Sequence, residues 1–308
     1  QLSKEYIYAG SRLLAVEDAN ATAVPPADLA VWRPSDGVWY VMGPGGTLKA
    51  GEAWGGSGDD PRPGDYDGDG KTDFCVVRQN DPSAGLITWY IRRSSDGVIN
   101  GIPFGINADT PAPADYDGDG RTDIAVFRKD DPSAGNGTFY ILRSSDGLLQ
   151  TIVHGINADA DTLAPADYDG DGKADATVWR DSTKSFYSIK SSDGLLQTVT
   201  FTVNSTEPIS GDYDNDGKAD FAVRNGSNWY IRFSSTGVIQ SPVTWGLADD
   251  KAVQNDYDGD GKVDIAVWRP DNGTWYIRQS TRLGQPDEMR STLWGQKYDF
   301  PVPVFYRR

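Results

Sequence analysis

The residues best suited to chemistry in this sequence lie in five acidic nonapeptides. DYDGDGKTD begins at Asp65, DYDGDGRTD at Asp115, DYDGDGKAD at Asp167, DYDNDGKAD at Asp212 and DYDGDGKVD at Asp256. In each, carboxylates fill positions 1, 3, 5 and 9, glycine holds position 6 and position 7 is basic. Loops built from oxygen donors suit a hard cation. Ca²⁺ takes about six to eight oxygens at roughly 2.3–2.6 Å, and alternate side chains of a tight turn, with one backbone carbonyl, can surround it. The expected ligands of the first site are Asp65, Asp67, Asp69 and Asp73 with the carbonyl of Lys71. Those of the second are Asp115, Asp117, Asp119 and Asp123 with Arg121, and of the third Asp167, Asp169, Asp171 and Asp175 with Lys173. The fourth and fifth comprise Asp212, Asp214, Asp216 and Asp220 with Lys218, and Asp256, Asp258, Asp260 and Asp264 with Lys262. Aspartate and glycine also gather in ordinary solvated turns. Five copies with complete carboxylate sets favour five calcium sites. Mutual repulsion should loosen the loops without metal, so binding is expected to tie them down. Five divalent ions would also bring the formal charge from -16 to -6, an ordinary value for a soluble surface.

The elements that must position these loops repeat with them. Successive loops start 50, 52, 45 and 44 residues apart, and a period of about 20–50 residues signals a solenoid or propeller. After each loop comes a β-patterned run, such as Ile124 to Phe127 or Ile265 to Trp268. A strand with an aromatic pair follows: Trp89-Tyr90, Phe139-Tyr140, Phe186-Tyr187, Trp229-Tyr230 and Trp275-Tyr276. It usually closes on a turn such as SSDG at Ser94 to Gly97, and a last strand ends at an aromatic-glycine pair, as in Phe104-Gly105, Trp245-Gly246 and Trp294-Gly295. A proline-containing run, Pro111 to Ala114 for example, then leads into the next loop. Four strands per unit of about 50 residues give the blade of a β-propeller.

The chain ends complete the count. Ala27 to Arg33 aligns with Thr122 to Arg128, with Trp39-Tyr40 and Trp54-Gly55 following in order, so a first blade starts without its opening strand or acidic loop. Asp299 to Tyr306 aligns with Asp109 to Tyr116 and would supply that strand, with Phe305 where a loop would have begun. The expected fold is therefore all-β, a six-bladed propeller of four-stranded antiparallel blades, closed by the C-terminal strand pairing into blade 1. Residues 1–23 form an N-terminal extension and residues 24–308 the propeller.

Composition narrows the function. A charge of -16 argues against nucleic acid, whose phosphates require clustered cations. No apolar run is long enough to span a membrane, and a start at Gln1 rather than Met fits either processing or a boundary chosen within a longer chain. One cysteine allows no intramolecular disulfide, and Cys75 is expected to be buried and inert. Arg33, Arg78, Arg128, Arg180 and Arg269 recur at one blade position, either as a basic ring or, more in keeping with strand packing, as structural partners of acids. The 10 Trp and 15 Tyr mostly recur at blade-equivalent positions, which points to filling between sheets rather than sugar stacking. The sole histidine, His154, stands where other blades place Phe104, Trp245 and Trp294, so it reads as a packing residue and leaves no Ser-His or Cys-His machinery.

On these loops the chain resembles the FG-GAP or VCBS repeat family, calcium-loop propellers typified by the head of integrin α chains and by some fungal and bacterial lectins. The resemblance covers roughly residues 24–306. It implies calcium between strands at the blade rim in a structural role, and ligand binding or adhesion on a propeller face outside the cell. The blade count departs from it, since integrin-type propellers usually have seven. The nonapeptides also resemble the start of an EF-hand loop, without its helices or its final glutamate. Glu5 to Asp18 resembles a bacterial Rhs or YD repeat, whose Tyr-rich strands end in a Gly-Arg-Leu-like turn. The sequence thus reads as a non-catalytic extracellular binding, adhesion or scaffolding module with a protein or glycan partner; a lectin holding glycans on one propeller face or between blades is the alternative and a glycan-active hydrolase the third reading.

Overall fold

The structure, a computed structural model, describes residues 4–9, 12–18, 26–43, 46–81, 86–155, 161–204 and 207–303. Six four-stranded antiparallel sheets follow one another, and blade 3 illustrates the unit: Thr110–Pro111, Ile124–Arg128, Thr138–Leu142 and Leu149–Val153. Burial explains why each sequence type took its place. The second strand, clamped between neighbouring blades, is apolar along its length (IAVF) and buried on both faces. In the third strand, Phe139 and Ile141 are buried while Tyr140 is half-buried, and the outer strand alternates exposed with half-buried residues.

Closure runs as expected. Phe300–Pro301 pairs antiparallel with Ala30–Arg33, with Phe300 opposite Trp32 and Pro301 opposite Val31, and Val38–Met42 and Leu48–Ala53 complete blade 1. The apolar core is divided among six clusters, each shared by two successive blades. The cluster joining Trp268, Trp275 and Ile277 of blade 6 to Leu29, Val31 and Met42 of blade 1 seals the ring. Lys4–Ala9 and Arg12–Asp18 form a separate two-stranded sheet. Phe305 lies outside the described residues, as do residues 1–3, 10–11 and 19–23 of the N-terminal extension.

Candidate metal centres

Each acidic loop joins the first strand of its blade to the second, and three devices fix it there. The tyrosine at position 2 is buried in four loops and half-buried, as Tyr66, in the first, and its hydroxyl donates to a carbonyl four residues upstream, as Tyr116 does to Ala112 O at 2.9 Å. The aspartate at position 9 is buried as well: Asp123 Oδ2 accepts from Tyr116 N at 2.8 Å and Oδ1 from Ser144 N at 2.6 Å. Position 1 caps the turn, Asp115 Oδ1 and Oδ2 accepting from Gly118 N and Gly120 N at 2.6 and 2.9 Å. Gly118 and Gly120 have φ of +79° and +83°, a left-handed backbone that favours glycine.

These constraints bring carboxylates together. Ligand oxygens of Asp65, Asp67 and Asp73 lie within 4.8 Å of one another, and so do those of Asp115, Asp117 and Asp123; Asp167, Asp169 and Asp175; and Asp212, Asp214 and Asp220. In the last loop the group is Asp256, Asp258 and Asp260, while Asp264 is held by Tyr257 N and Ser280 N. The position-5 carboxylates Asp69, Asp119, Asp171 and Asp216 stand beside their groups. Each accepts the position-7 N–H, from Lys71, Arg121, Lys173 and Lys218 respectively, and a serine hydroxyl. Lys262 N likewise donates to Asp260.

Two features of the site exceed what the motif announces. The turn after the third strand supplies a hydroxyl pair to the loop. Ser144 Oγ donates to Asp119 at 2.9 Å and Ser145 Oγ to Asp117 at 2.6 Å, and Ser94-Ser95, Ser191-Ser192, Ser234-Ser235 and Ser280-Thr281 do the same in their blades. A signal for this was present: blade 1, without an acidic loop, carries Pro44-Gly45 at the position of the serine pair. The second feature is a chain of contacts between loops. Thr122 N donates to Asp65 O, Ala174 N to Asp115 O, Ala219 N to Asp167 O and Val263 N to Asp212 O, and Ala27 N closes the series on Asp256 O, all at 2.6–2.7 Å. Side chains reinforce it: a Cβ on Gly68 or Gly118 would sit 3.0 Å from the Cγ of Arg121 or Lys173 in the next loop.

The loops fit a divalent cation. Two oxygens bound to one Ca²⁺ stand at most about 4.6–5.2 Å apart, twice the usual contact, and every group falls inside that limit. Burial pushes the position-9 carboxyls up, Asp73 and Asp220 to about 6 and Asp264 to about 7 from an ordinary 3.8, and the position-3 carboxylate beside each adds to the push. Asp214 Oδ1 and Asp258 Oδ1 are buried without a hydrogen-bond partner, a state that is costly for a charged oxygen unless a cation meets it. Blade 1 supports the same logic from the other side. Its position-9 equivalent, Asp28, is 1% exposed, and the Lys49 ammonium lies 3.8 Å from its Oδ2.

The recurrent arginines are spoken for. At the far end of the second strands, Arg33, Arg78, Arg128, Arg180 and Arg269 bind Asp299, Asp59, Asp109, Asp161 and Asp250 through two hydrogen bonds each, at 2.8–3.0 Å. Each guanidinium lies 4.2–4.8 Å from the ring centroid of Tyr40, Tyr90, Tyr140, Tyr187 or Tyr276. Blade 5 differs: Arg224 enters the apolar slot one residue earlier and binds Glu207 with the carbonyls of Leu247 and Asp250. His154 does the work of a tryptophan. Its Nε2 lies 2.8 Å from Tyr187 O, as the indole N–H groups of Trp54, Trp245 and Trp294 reach Tyr90 O, Tyr276 O and Tyr40 O, so Nε2 carries the proton. The other seven tryptophans are fully buried. Cys75 is buried too, and burial pushes its thiol far up.

Comparison with known proteins agrees with this architecture. The FG-GAP-like repeat matches residues 65–126 and 115–178. No curated protein matches the chain. Similar solved structures include an arginine-to-alanine triple mutant of AofleA from Arthrobotrys oligospora, at 12% identity and TM-score 0.52 over 91% of this chain and 90% of that one. A streptogramin B lyase structure is 12% identical with TM-score 0.51 over 90% and 86%. Selenomethionine-substituted virginiamycin B lyase from Staphylococcus aureus is 11% identical with TM-score 0.50 over 91% and 87%. At such identities the likeness concerns the fold alone. The chain is a six-bladed β-propeller that carries FG-GAP-like repeats.

Proposed function

We propose that this propeller is a calcium-stabilised, non-catalytic binding module that works outside the cytoplasm. One observation carries the reading: five loops each gather three carboxylate oxygens within 4.8 Å. Position 1, 3 and 9 carboxylates, or 1, 3 and 5 in the last loop, would hold the ion, and the bound ion would supply positive charge to loops that the fold has otherwise crowded with acid. The chain's own part is orientation. Serine hydroxyls and backbone amides aim the carboxylates, and the buried tyrosine fixes the start of the turn. Loops of moderate affinity would need millimolar calcium, which favours an extracellular or periplasmic setting. Among the described residues no helix is long and apolar enough to cross a membrane. The non-catalytic reading is supported by the engagement of the sole histidine in packing. Thermal unfolding with and without chelator tests it. Saturating calcium is expected to raise Tm by on the order of 10–20 °C, since a site filled at 100 times its Kd adds about 2.7 kcal/mol. An unchanged Tm would refute the calcium reading.

A further inference from the structure

The loop side of the ring breaks its own symmetry. In a chain of net charge -16, a groove of about 460 Å³ between the outer parts of blades 3 and 4 is lined by three cations, Arg143, Lys173 and Lys190, with Gln150 beside them. Arg143 continues into the next groove, of about 210 Å³ between blades 2 and 3, where Arg93 and Arg121 join it. The pattern stops at blade 5. In the groove between blades 5 and 6, Phe233 stands where Arg143 stands in blade 3, Val243, Val263 and Leu283 make the lining mainly apolar, and its one cation, Arg278, is paired with Glu288. Packing does not require a cation at that repeat position, so the cationic arc is a local specialisation.

The charges in the larger groove remain available. Arg143 and Lys190 pair with Asp146 and Asp193 at 2.5 Å, but those acids are 41% and 40% exposed, and surface pairs of this kind contribute about 0–1 kcal/mol. Lys173 has no ion pair and the Gln150 amide no hydrogen bond among the described residues. The one carboxylate in the lining, Asp117, is turned to its own blade, accepting from Ser145 Oγ at 2.6 Å and Ser145 N at 3.2 Å. The groove is thus rich in donors, carries net positive charge and has the size of a small-ligand site. Every tryptophan is fully buried or has its indole N–H engaged, so recognition there would be ionic and hydrogen-bonded rather than by indole stacking.

We propose that the groove between blades 3 and 4 binds a carboxylate-bearing sugar, with Arg143 and Lys173 on the carboxylate and Gln150 and Lys190 on ring hydroxyls. An oxygen-dense ligand with an apolar ring face matches a lining whose polar part is mostly donors set beside Ile152 and Ile189, whereas an acidic peptide would leave the amide and much of the hydrogen-bonding capacity unused. The proposal rests on the binding-module reading and gives it a ligand class. Isothermal titration in millimolar calcium with glucuronate and galacturonate, singly and as short oligomers, tests it against glucose, sulfate and a short poly-aspartate peptide. At least one uronate should bind saturably, and glucose should not bind. Lys173→Met and Arg143→Gln should each weaken binding about tenfold or more, the scale of one charge-assisted hydrogen bond, with a cooperative thermal transition in calcium showing that each variant is folded. Absence of uronate binding, undiminished binding by both variants, or equal binding of sulfate or poly-aspartate would overturn it. A calcium-dependent Tm alongside any of these failures would leave the metal reading standing.

Discussion

In blade 3 the two ends of one short strand, Ile124–Arg128, both lie beside buried acid. At one end Asp109, 2% exposed, is gripped by both arms of Arg128, whose guanidinium lies over Tyr140. At the other, Asp115, Asp117 and Asp123 converge with no cation braced among them, although the Arg143 charge steadies Asp117 and the equivalent Arg93 of blade 2 lies 3.9 Å from Asp67. The first arrangement carries its own cation and is complete when the chain has folded. The second crowds like charges that destabilise the fold until a positive charge arrives. The same residue type therefore serves as a fixed brace at one end and as a conditional one at the other. Blade 1 shows the exchange within a single molecule, since Asp28, the equivalent of a loop carboxylate, has Lys49 nearby.

Removing metal is the strongest way to break this comparison. Chelation should lower Tm by on the order of 10–20 °C through the loops alone, and differential scanning calorimetry measures it. Next come single substitutions on either side. Arg128→Ala strands Asp109 and should destabilise by about 3 kcal/mol in calcium and in chelator alike. Asp117→Ala should destabilise far more in calcium than in chelator, because the ion contact is lost only where metal is present, whereas the hydrogen bonds from Ser145 are lost in both. Denaturant melts of both variants in both conditions separate a built-in brace from a conditional one.

Much of this was legible before any coordinates. The nonapeptides, the aromatic pairs and the aromatic-glycine ends gave the blade, its strand count and the closing strand Phe300–Pro301. Five copies of one pattern define each strand by its recurrence at the same place in the unit. The acid partners of the arginines were not legible. Asp109 lies 19 residues before Arg128 and Asp59 the same distance before Arg78, across a turn whose path the sequence alone does not trace, and Asp299 meets Arg33 only because the ring closes. The serine pairs were visible as a turn signal, yet their hydroxyls face the loop because two strands pair in register, and that is a property of the sheet. The cationic groove depends on two neighbouring blades at once, so it has no signature in either repeat.

Acidity gives a smaller test. The carboxyls of Asp73 and Asp220 sit near 6 and that of Asp264 near 7 in the folded protein, against an ordinary 3.8. Raised folded-state values mean that the folded form holds the protons more tightly. Their stabilising contribution is complete below about 3.8 and is lost as pH rises through 6 to 7. In chelator, Tm should therefore rise by a few degrees between pH 7.5 and 5, while in calcium the gain should shrink or reverse as protons compete with metal. The smallest effect concerns His154. His154→Phe removes the hydrogen bond to Tyr187 O and should cost about 1 kcal/mol, whereas His154→Trp restores the residue of equivalent blades and should be tolerated. Chemical denaturation of both variants checks the pair.

Counting bound ions tests the central claim most directly. Native mass spectrometry of the protein equilibrated with calcium should show five ions per chain, one for each acidic loop, and four for Asp117→Ala, with Arg128→Ala still at five. A chain that retains no calcium, or the same number after Asp117→Ala, would contradict the account.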